Sequence, residues 1–223
     1  MAGVQLASRG GDVGTGLYTF PEAARILQRG FDLVTTRQLR YWMSTGLTPS
    51  SFRADDITVL SFDDLISLEV VKRFRADHVS LQRIRKFEEE LSEFTGFERP
   101  FGYRSFFTDG AKVWGQRFCE EGPIAIELSG RNLGHAVWLD AIRTFATEIT
   151  YSGQDQRAAI WNLNTHVQIN PSVQFGAPVV RGTRVTVDTV AANLKVAPPA
   201  EVADWYGLTL DEVRGVQEYL AAS

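Results

Sequence analysis

The sequence predicts an α+β fold, with helices at both ends and a strand-bearing stretch between them. Three observations point there. Between residues 19 and 94, capping motifs precede apolar residues that recur every three or four positions. From Phe101 to about Thr165, alternating apolar residues and turn dipeptides take over. After Val187, three short helical segments are cut apart by Pro198-Pro199 and Gly207. The pattern divides the chain into an N-terminal arm (1–16), a helical domain (17–95), a β-rich linking or dimerising segment (101–165) and a C-terminal domain (166–223).

The arm is rich in glycine and small residues and reads as disordered. Thr19-Phe20-Pro21-Glu22 is a capping box with proline in the first turn, and Ala23, Ala24, Ile26 and Leu27 carry the helix it opens. Gly30 makes a turn. Thr35 and Gln38 form a second box. Leu39, Trp42 and Met43 mark the buried face of that helix, while Arg37, Arg40, Tyr41 and Ser44 share another face with Gln38 beside them. Gly46 stops it. Thr48 to Leu60 reads as a hairpin around Ser50-Ser51, with Arg53 near its tip. Ser61 to Asp64 opens a helix whose inner side is Leu65, Ile66, Leu68 (or Glu69), Val70 and Phe74. Ser80 caps the next, carried by Leu81, Ile84, Phe87, Leu91 and Phe94. Its Glu88, Glu89, Glu90 and Glu93 read as a solvated face, because consecutive helical residues diverge and do not converge on a cation.

In the middle segment, Asp109-Gly110 predicts a hairpin between Tyr103–Phe107 and Ala111–Trp114. Ile124–Leu128 is a candidate strand and His135–Ile142 a candidate helix. Phe145–Tyr151 alternates and reads as a strand turned by Ser152-Gly153, with Ala159–Leu163 as its partner. Val167 to Val187 is dense in Pro, Gly and β-branched residues, so it reads as short extended pieces. Asp188 is taken as the cap of a helix through Leu194. A second helix runs from the two prolines to about Tyr206, and the Thr209–Glu212 box opens a third carrying Val213, Val216, Tyr219 and Leu220. Together they predict a compact trihelical unit, similar in outline to a second helix-turn-helix.

The bulk numbers exclude much. The 223 residues are 22% charged and 44% hydrophobic, a soluble globular composition with room for two small domains. A formal charge of -4 and a pI near 5.5 rule out a globally basic nucleic-acid binder, so any DNA contact must come from a local face. Cys119 is the only cysteine, which suits a reducing cytoplasm and leaves no intramolecular disulfide. No apolar run approaches the ~20 residues of a membrane span, and no signal peptide is legible. His78, His135 and His166 have no metalloenzyme spacing, and P-loop and nucleophile-elbow motifs are absent. The reading is therefore a non-enzyme without cofactor or metal.

The helix opened by Thr35 is chemically suited to a duplex. Arginine pairs with phosphate or guanine edges, and glutamine or threonine reaches a base. An ordinary amphipathic surface helix explains the same spacing.

The ordered set TFPEAARILQ, TTRQLRYWMSTGL, LSFDDLISLEVVKRF and VSLQRIRKFEEEL is similar to the MerR-type winged-helix family over Leu17 to about Phe94. That resemblance implies DNA binding through Thr35, Thr36, Arg37, Gln38, Arg40 and Tyr41 of the second helix, with Arg53 as a wing arginine. The long dimerising coiled coil of MerR regulators is missing, since the pattern breaks at Gly96. INP-x5-GAPVVRGTRVTVD and the following EVADWYGLTLDEV, over Ile169 to Leu220, resemble the small domain of unknown function in many bacterial VapB-like antitoxins.

The two resemblances together imply a cytoplasmic type II antitoxin. It would inhibit a cognate PIN-like ribonuclease toxin and, as a homodimeric repressor, bind double-stranded operator DNA. A dimer follows from thin specificity: each good base pair contact adds roughly 1–3 kcal/mol, and operators present two half-sites about 34 Å apart. Toxin-binding candidates are Arg181 and Arg184, which can pair with active-site carboxylates, and the aromatics Trp205, Tyr206 and Tyr219. The alternative for the arginines is a structural Gly-Thr-Arg turn; for the aromatics it is the core, where Trp205 is placed. The competing function is a stand-alone MerR-like regulator with a small-molecule sensing middle domain. Phe106, Phe107, Trp114, Trp138, Tyr151 and Trp161 would then line a pocket rather than a core. A DNA-binding tail is disfavoured, because Asp211 and Glu212 at the front of the last helix repel phosphate.

Overall fold

The computed structural model describes residues 16–28, 34–45, 52–54, 57–76, 78–107, 144–153 and 156–222, with backbone alone at 52–54, 57 and 94. The predicted arm (but for Gly16), the Gly30 turn, the Gly46 stop, the Ser50-Ser51 tip, Asp109-Gly110 with its second strand, Ile124–Leu128, His135–Ile142 and Cys119 lie outside the described residues.

The fold is α+β. Helix α1 (Phe20–Leu27) starts from the complete Thr19/Glu22 capping box, and α2 (Thr36–Ser44) from the Thr35/Gln38 box. Strands β1 (Phe52–Ala54) and β2 (Ile57–Val59) form an antiparallel hairpin that pairs Arg53 with Thr58. The hairpin is anchored at its base, where Tyr18 and Leu60 exchange both backbone hydrogen bonds at 2.9 and 2.8 Å. Helices α3 (Phe62–Ala76) and α4 (Leu81–Thr95) follow. Ser80 caps α4, and Gly96 ends it in the left-handed conformation.

Helix α3 departs from the one-sided stripe predicted for it. Every residue from Phe62 to Lys72 is buried, including Asp63, Asp64, Ser67, Glu69 and Lys72. Its charged side chains are buried because they are paired. Asp64 closes a cap on Ser61 and forms an ion pair with Arg99, and Asp63 pairs with Arg157. Glu69 bridges Lys72 and Arg73 at 2.9 and 2.8 Å, and Lys72 also donates to the Leu27 carbonyl at 2.9 Å. On α4 the solvated glutamate face is corrected at one position: Glu88 is only 8% exposed. Burial, with Glu89 beside it, pushes its carboxyl up to about 8.

The middle segment is more helical than its residues suggest. Instead of a strand over Tyr103–Phe107, a 3-10 turn (Pro100–Gly102) leads to one bridging residue, Tyr103 opposite Arg157, and then a helical turn over 104–107. The cause is packing. The turns bring Phe101, Phe106 and Phe107 inward, and their rings extend a series that begins at Phe74 and Phe87. Likewise the strand predicted over Phe145–Tyr151 is helical over 144–148 and extended only from Ile149. Phe145 and Ile149, four residues apart, are both buried, and Phe145 meets Phe107 and Trp161 edge-on at 5.8 and 5.5 Å.

Strands β3 (Ile149–Ser152), β4 (Arg157–Asn162), β5 (Val167–Ile169) and β6 (Pro178–Val180) form an antiparallel meander in chain order. Gly153 turns β3 into β4 as predicted, and Ile149 lies opposite Trp161. Helices α5 (Val187–Asn193), α6 (Pro199–Tyr206) and α7 (Leu210–Ala221) close the chain. The cap of α5 is Thr186, not Asp188: the Thr186 hydroxyl accepts the Thr189 N–H at 3.1 Å, three residues on. Asp188 sits in the first turn, where a carboxylate suits the helix dipole without capping. A continuous hydrophobic core runs from Tyr18 through the phenylalanine series to Val216 and Tyr219.

Candidate nucleic-acid interface and partner-facing module

The first candidate site is the outer face of α2. Leu39 and Trp42 are buried against α1, which turns Arg37, Arg40, Tyr41 and Ser44 outward at helical spacing. Tyr41 is 58% exposed. The Arg40 guanidinium sits 5.3 Å from the centroid of the Phe20 ring on α1, a cation–π contact that orients an exposed cation. Thr35 and Gln38 are used differently. The Gln38 side-chain carbonyl accepts from the Thr35 backbone N–H and hydroxyl, both at 2.8 Å, and the Thr35 hydroxyl accepts the Gln38 N–H at 3.2 Å. Both side chains fix the start of the helix. Thr36 is half-buried in its first turn. Arg53 lies in β1, on the two-stranded hairpin that follows α2 in the chain. The arrangement offers two outward guanidiniums and a phenol on one helix, with a two-stranded ribbon following it in the chain.

The second candidate site is the C-terminal module, and here the structure distributes the predicted residues unevenly. Tyr219 is core, 7% exposed, and Tyr206 is half-buried with its hydroxyl accepting from Asn193 at 2.9 Å. Trp205, placed in the core by its sequence, is 55% exposed. On the short α6, Val202, Ala203 and Tyr206 occupy the inward face, which turns Trp205 out beside Glu201 and Asp204. Arg181 is exposed but tied down: its guanidinium donates to the Asn162 side chain at 3.0 Å and to the Asn164 carbonyl at 3.3 Å. Gly182, at φ 75°, and the Thr183 hydroxyl, donating to the Val180 carbonyl at 2.9 Å, make Gly-Thr-Arg a built turn. Arg184 is exposed at its end.

Several residues that organise this module escaped sequence reasoning. Asn164 accepts the His166 and Val167 N–H groups at 2.8 and 2.7 Å and donates to the Gly215 carbonyl at 2.8 Å, pinning β5 to α7. Gly215 is required in that helix, because a Cβ there would lie 2.6 Å from His166. Gly176 is required for a similar reason: its Cβ would lie 2.2 Å from the Tyr18 hydroxyl. Tyr18 is buried, and burial, with Glu22 adding, raises its pKa. Beside it, burial opposes ionisation of Glu22, but the hydrogen bonds from Thr19 and the charge of Arg25 hold its carboxyl below the usual value. No motif signals the approaches of Gly215 to His166, Gly176 to Tyr18 and Asn164 to Gly215, since each joins segments far apart in the chain.

Residues 167–220 match the family model described as a protein of unknown function (DUF433), so the match is to the C-terminal module alone. The chain is similar to the crystal structure of Rv2018 from Mycobacterium tuberculosis, with 24% identity and a TM-score of 0.69, covering 90% of this chain and 96% of that one. That likeness shows a shared fold. No curated protein matches the chain. No helix is long and apolar enough to cross a membrane among the described residues.

Proposed function

We propose that this protein is a VapB-type antitoxin: it binds and inhibits a PIN-like ribonuclease encoded beside it, and as a cytoplasmic homodimer it represses their shared operon. The observation that carries the DNA half is the exposed Arg37–Arg40–Tyr41 face on α2, which a two-stranded hairpin follows in the chain. The core leaves that face free, and its cations suit phosphate oxygens. The toxin half rests on the C-terminal module, whose sequence resembles antitoxin domains and whose Trp205 stands outside its own core. Tyr41 and Trp205 are aromatic types enriched where proteins meet partners.

The stand-alone sensor is less well supported. Of the aromatics suggested to line a sensing pocket, Phe106, Phe107 and Trp161 are buried, and Phe107 and Tyr151 meet at 6.0 Å, a packed cluster. Trp114 and Trp138 lie outside the described residues. The test is to co-express the chain with the neighbouring reading frame and ask for co-purification and loss of ribonuclease activity. Retention of full ribonuclease activity in a mixture with excess chain rejects the antitoxin reading.

A further inference from the structure

The segment Gln174-Phe175-Gly176 is an unusual piece of backbone. All three residues have positive φ, at 49°, 55° and 87°. A left-handed conformation is ordinary for glycine and costly for a bulky side chain. The turn is nevertheless held from several sides. The Gly176 N–H donates to Val173 at 2.9 Å and the Ala177 N–H to Gln174 at 3.0 Å. The Leu17 N–H donates to the Phe175 carbonyl at 3.2 Å, and the Gln174 side-chain amide to the Arg184 carbonyl at 3.0 Å. The held turn sends its aromatic side chain outward: Phe175 is 83% exposed. Burial supplies no reason for a phenylalanine here, and backbone geometry argues against one.

Phe175 stands at a recess of about 560 Å³ between α1 and the C-terminal module, with Leu17 and Leu220 also half-open along it. The charged groups on its wall are Glu22, Arg25 and Asp188. Arg25 lies 3.9 Å from Asp188 across water-exposed side chains, so two carboxylates face one guanidinium. An apolar patch with an aromatic projection and a negative surplus fits a partner surface that is cationic and receptive to flat rings. The RNA-binding groove of a ribonuclease has that character, because single strands are held by cations and by stacking of their bases.

We infer that Phe175, flanked by Glu22 and Asp188, enters the RNA-binding groove of the cognate ribonuclease, its ring taking the place of a base and the carboxylates the place of phosphates. This rests on the antitoxin reading. Inhibition then works by occupying the substrate's path, and the tethered Arg181 is not needed at the active-site carboxylates.

The experiment uses the full chain and the ribonuclease encoded beside it, with affinity measured by titration and melting temperature recorded in parallel. Phe175→Gly relieves the left-handed strain, so its melting temperature rises, while affinity for the ribonuclease falls about 30-fold, as for a hot-spot residue. Phe175→Trp keeps most of the affinity. A 2′-O-methyl RNA oligonucleotide, which resists cleavage, competes with the wild-type chain. If the wild-type chain binds and Phe175→Gly binds equally well, or if oligonucleotide and chain bind together, this inference is overturned and the antitoxin reading stands. If the wild-type chain shows no affinity for the ribonuclease, the antitoxin reading itself falls.

Discussion

Helices α2 and α3 are both rich in charge, and the protein uses them in opposite ways. In α2 the apolar side is narrow, and Arg37 and Arg40 reach water. In α3 the packing closes around the whole helix, so Asp63, Asp64, Glu69 and Lys72 are buried and each meets an opposite charge. Glu69 and Lys72 pair within the helix, but the other partners come from far away: Arg99 follows α4, Arg157 lies on β4 and Glu148, bound to Arg73 at 3.2 Å, precedes β3. Burial first of all lowers the proton affinity of Arg99, with Asp63 opposing and Arg157 assisting, whereas the hydrogen bond that Arg157 donates to Asp63 raises its own. The same side-chain types therefore serve recognition where the core leaves them open and register where it encloses them.

That contrast predicts a graded set of effects. Asp64→Ala removes the ion-pair partner of buried Arg99 together with the Ser61 cap and should cost about 3–5 kcal/mol, read by urea denaturation. A paired Asp64→Leu, Arg99→Met variant should recover most of the loss, and a single variant within about 0.5 kcal/mol of wild type would show that the pair carries no stability. Gly215→Ala is the next largest. Alanine normally favours a helix by up to about 1 kcal/mol, but crowding against His166 costs roughly 1–3 kcal/mol, so net destabilisation follows. A melting temperature above wild type contradicts that.

Glu88 gives a pH-dependent effect. Its carboxyl binds a proton more tightly in the folded chain, near 8, than in the unfolded one, near the ordinary carboxylate value. Between those values the folded state holds the extra proton, so stability falls as pH rises through that window. Glu88→Gln removes the dependence. At pH 8 it should stabilise clearly, and at pH 4 it should change little. Equal effects at both pH values would refute buried ionisation as the cause.

How much of this was legible depends on range. The boxes at Thr19, Thr35 and Thr209 and the cap at Ser80 were readable because each is closed within three residues. Asp188 was misread locally, since Thr186 offers an equally good hydroxyl two positions earlier. The helical turns at 104–107 and 144–148 were not readable: their residues favour strands, and the phenylalanine series imposed by tertiary packing overrides that preference. The exposed face of α2 was legible as a period. The capping role of Gln38 was legible too, and it competes with the base-reading role that the MerR-type resemblance implies for the same residue. Phe175 gave no signal, because nothing in its neighbours announces a left-handed phenylalanine.

The smallest effect on stability and the most direct on function belongs to α2. Arg37→Ala and Arg40→Ala, being exposed, should each change stability by less than about 0.5 kcal/mol. Their double variant is the decisive measurement: binding to the chain's own upstream DNA, followed by fluorescence anisotropy across a salt series. The account predicts that wild type binds at low salt and that the double variant binds more weakly, with a log–log salt slope shallower by about two per protomer, or about four for the dimer. Equal affinity and slope in wild type and variant, or no wild-type binding at low salt, would contradict it.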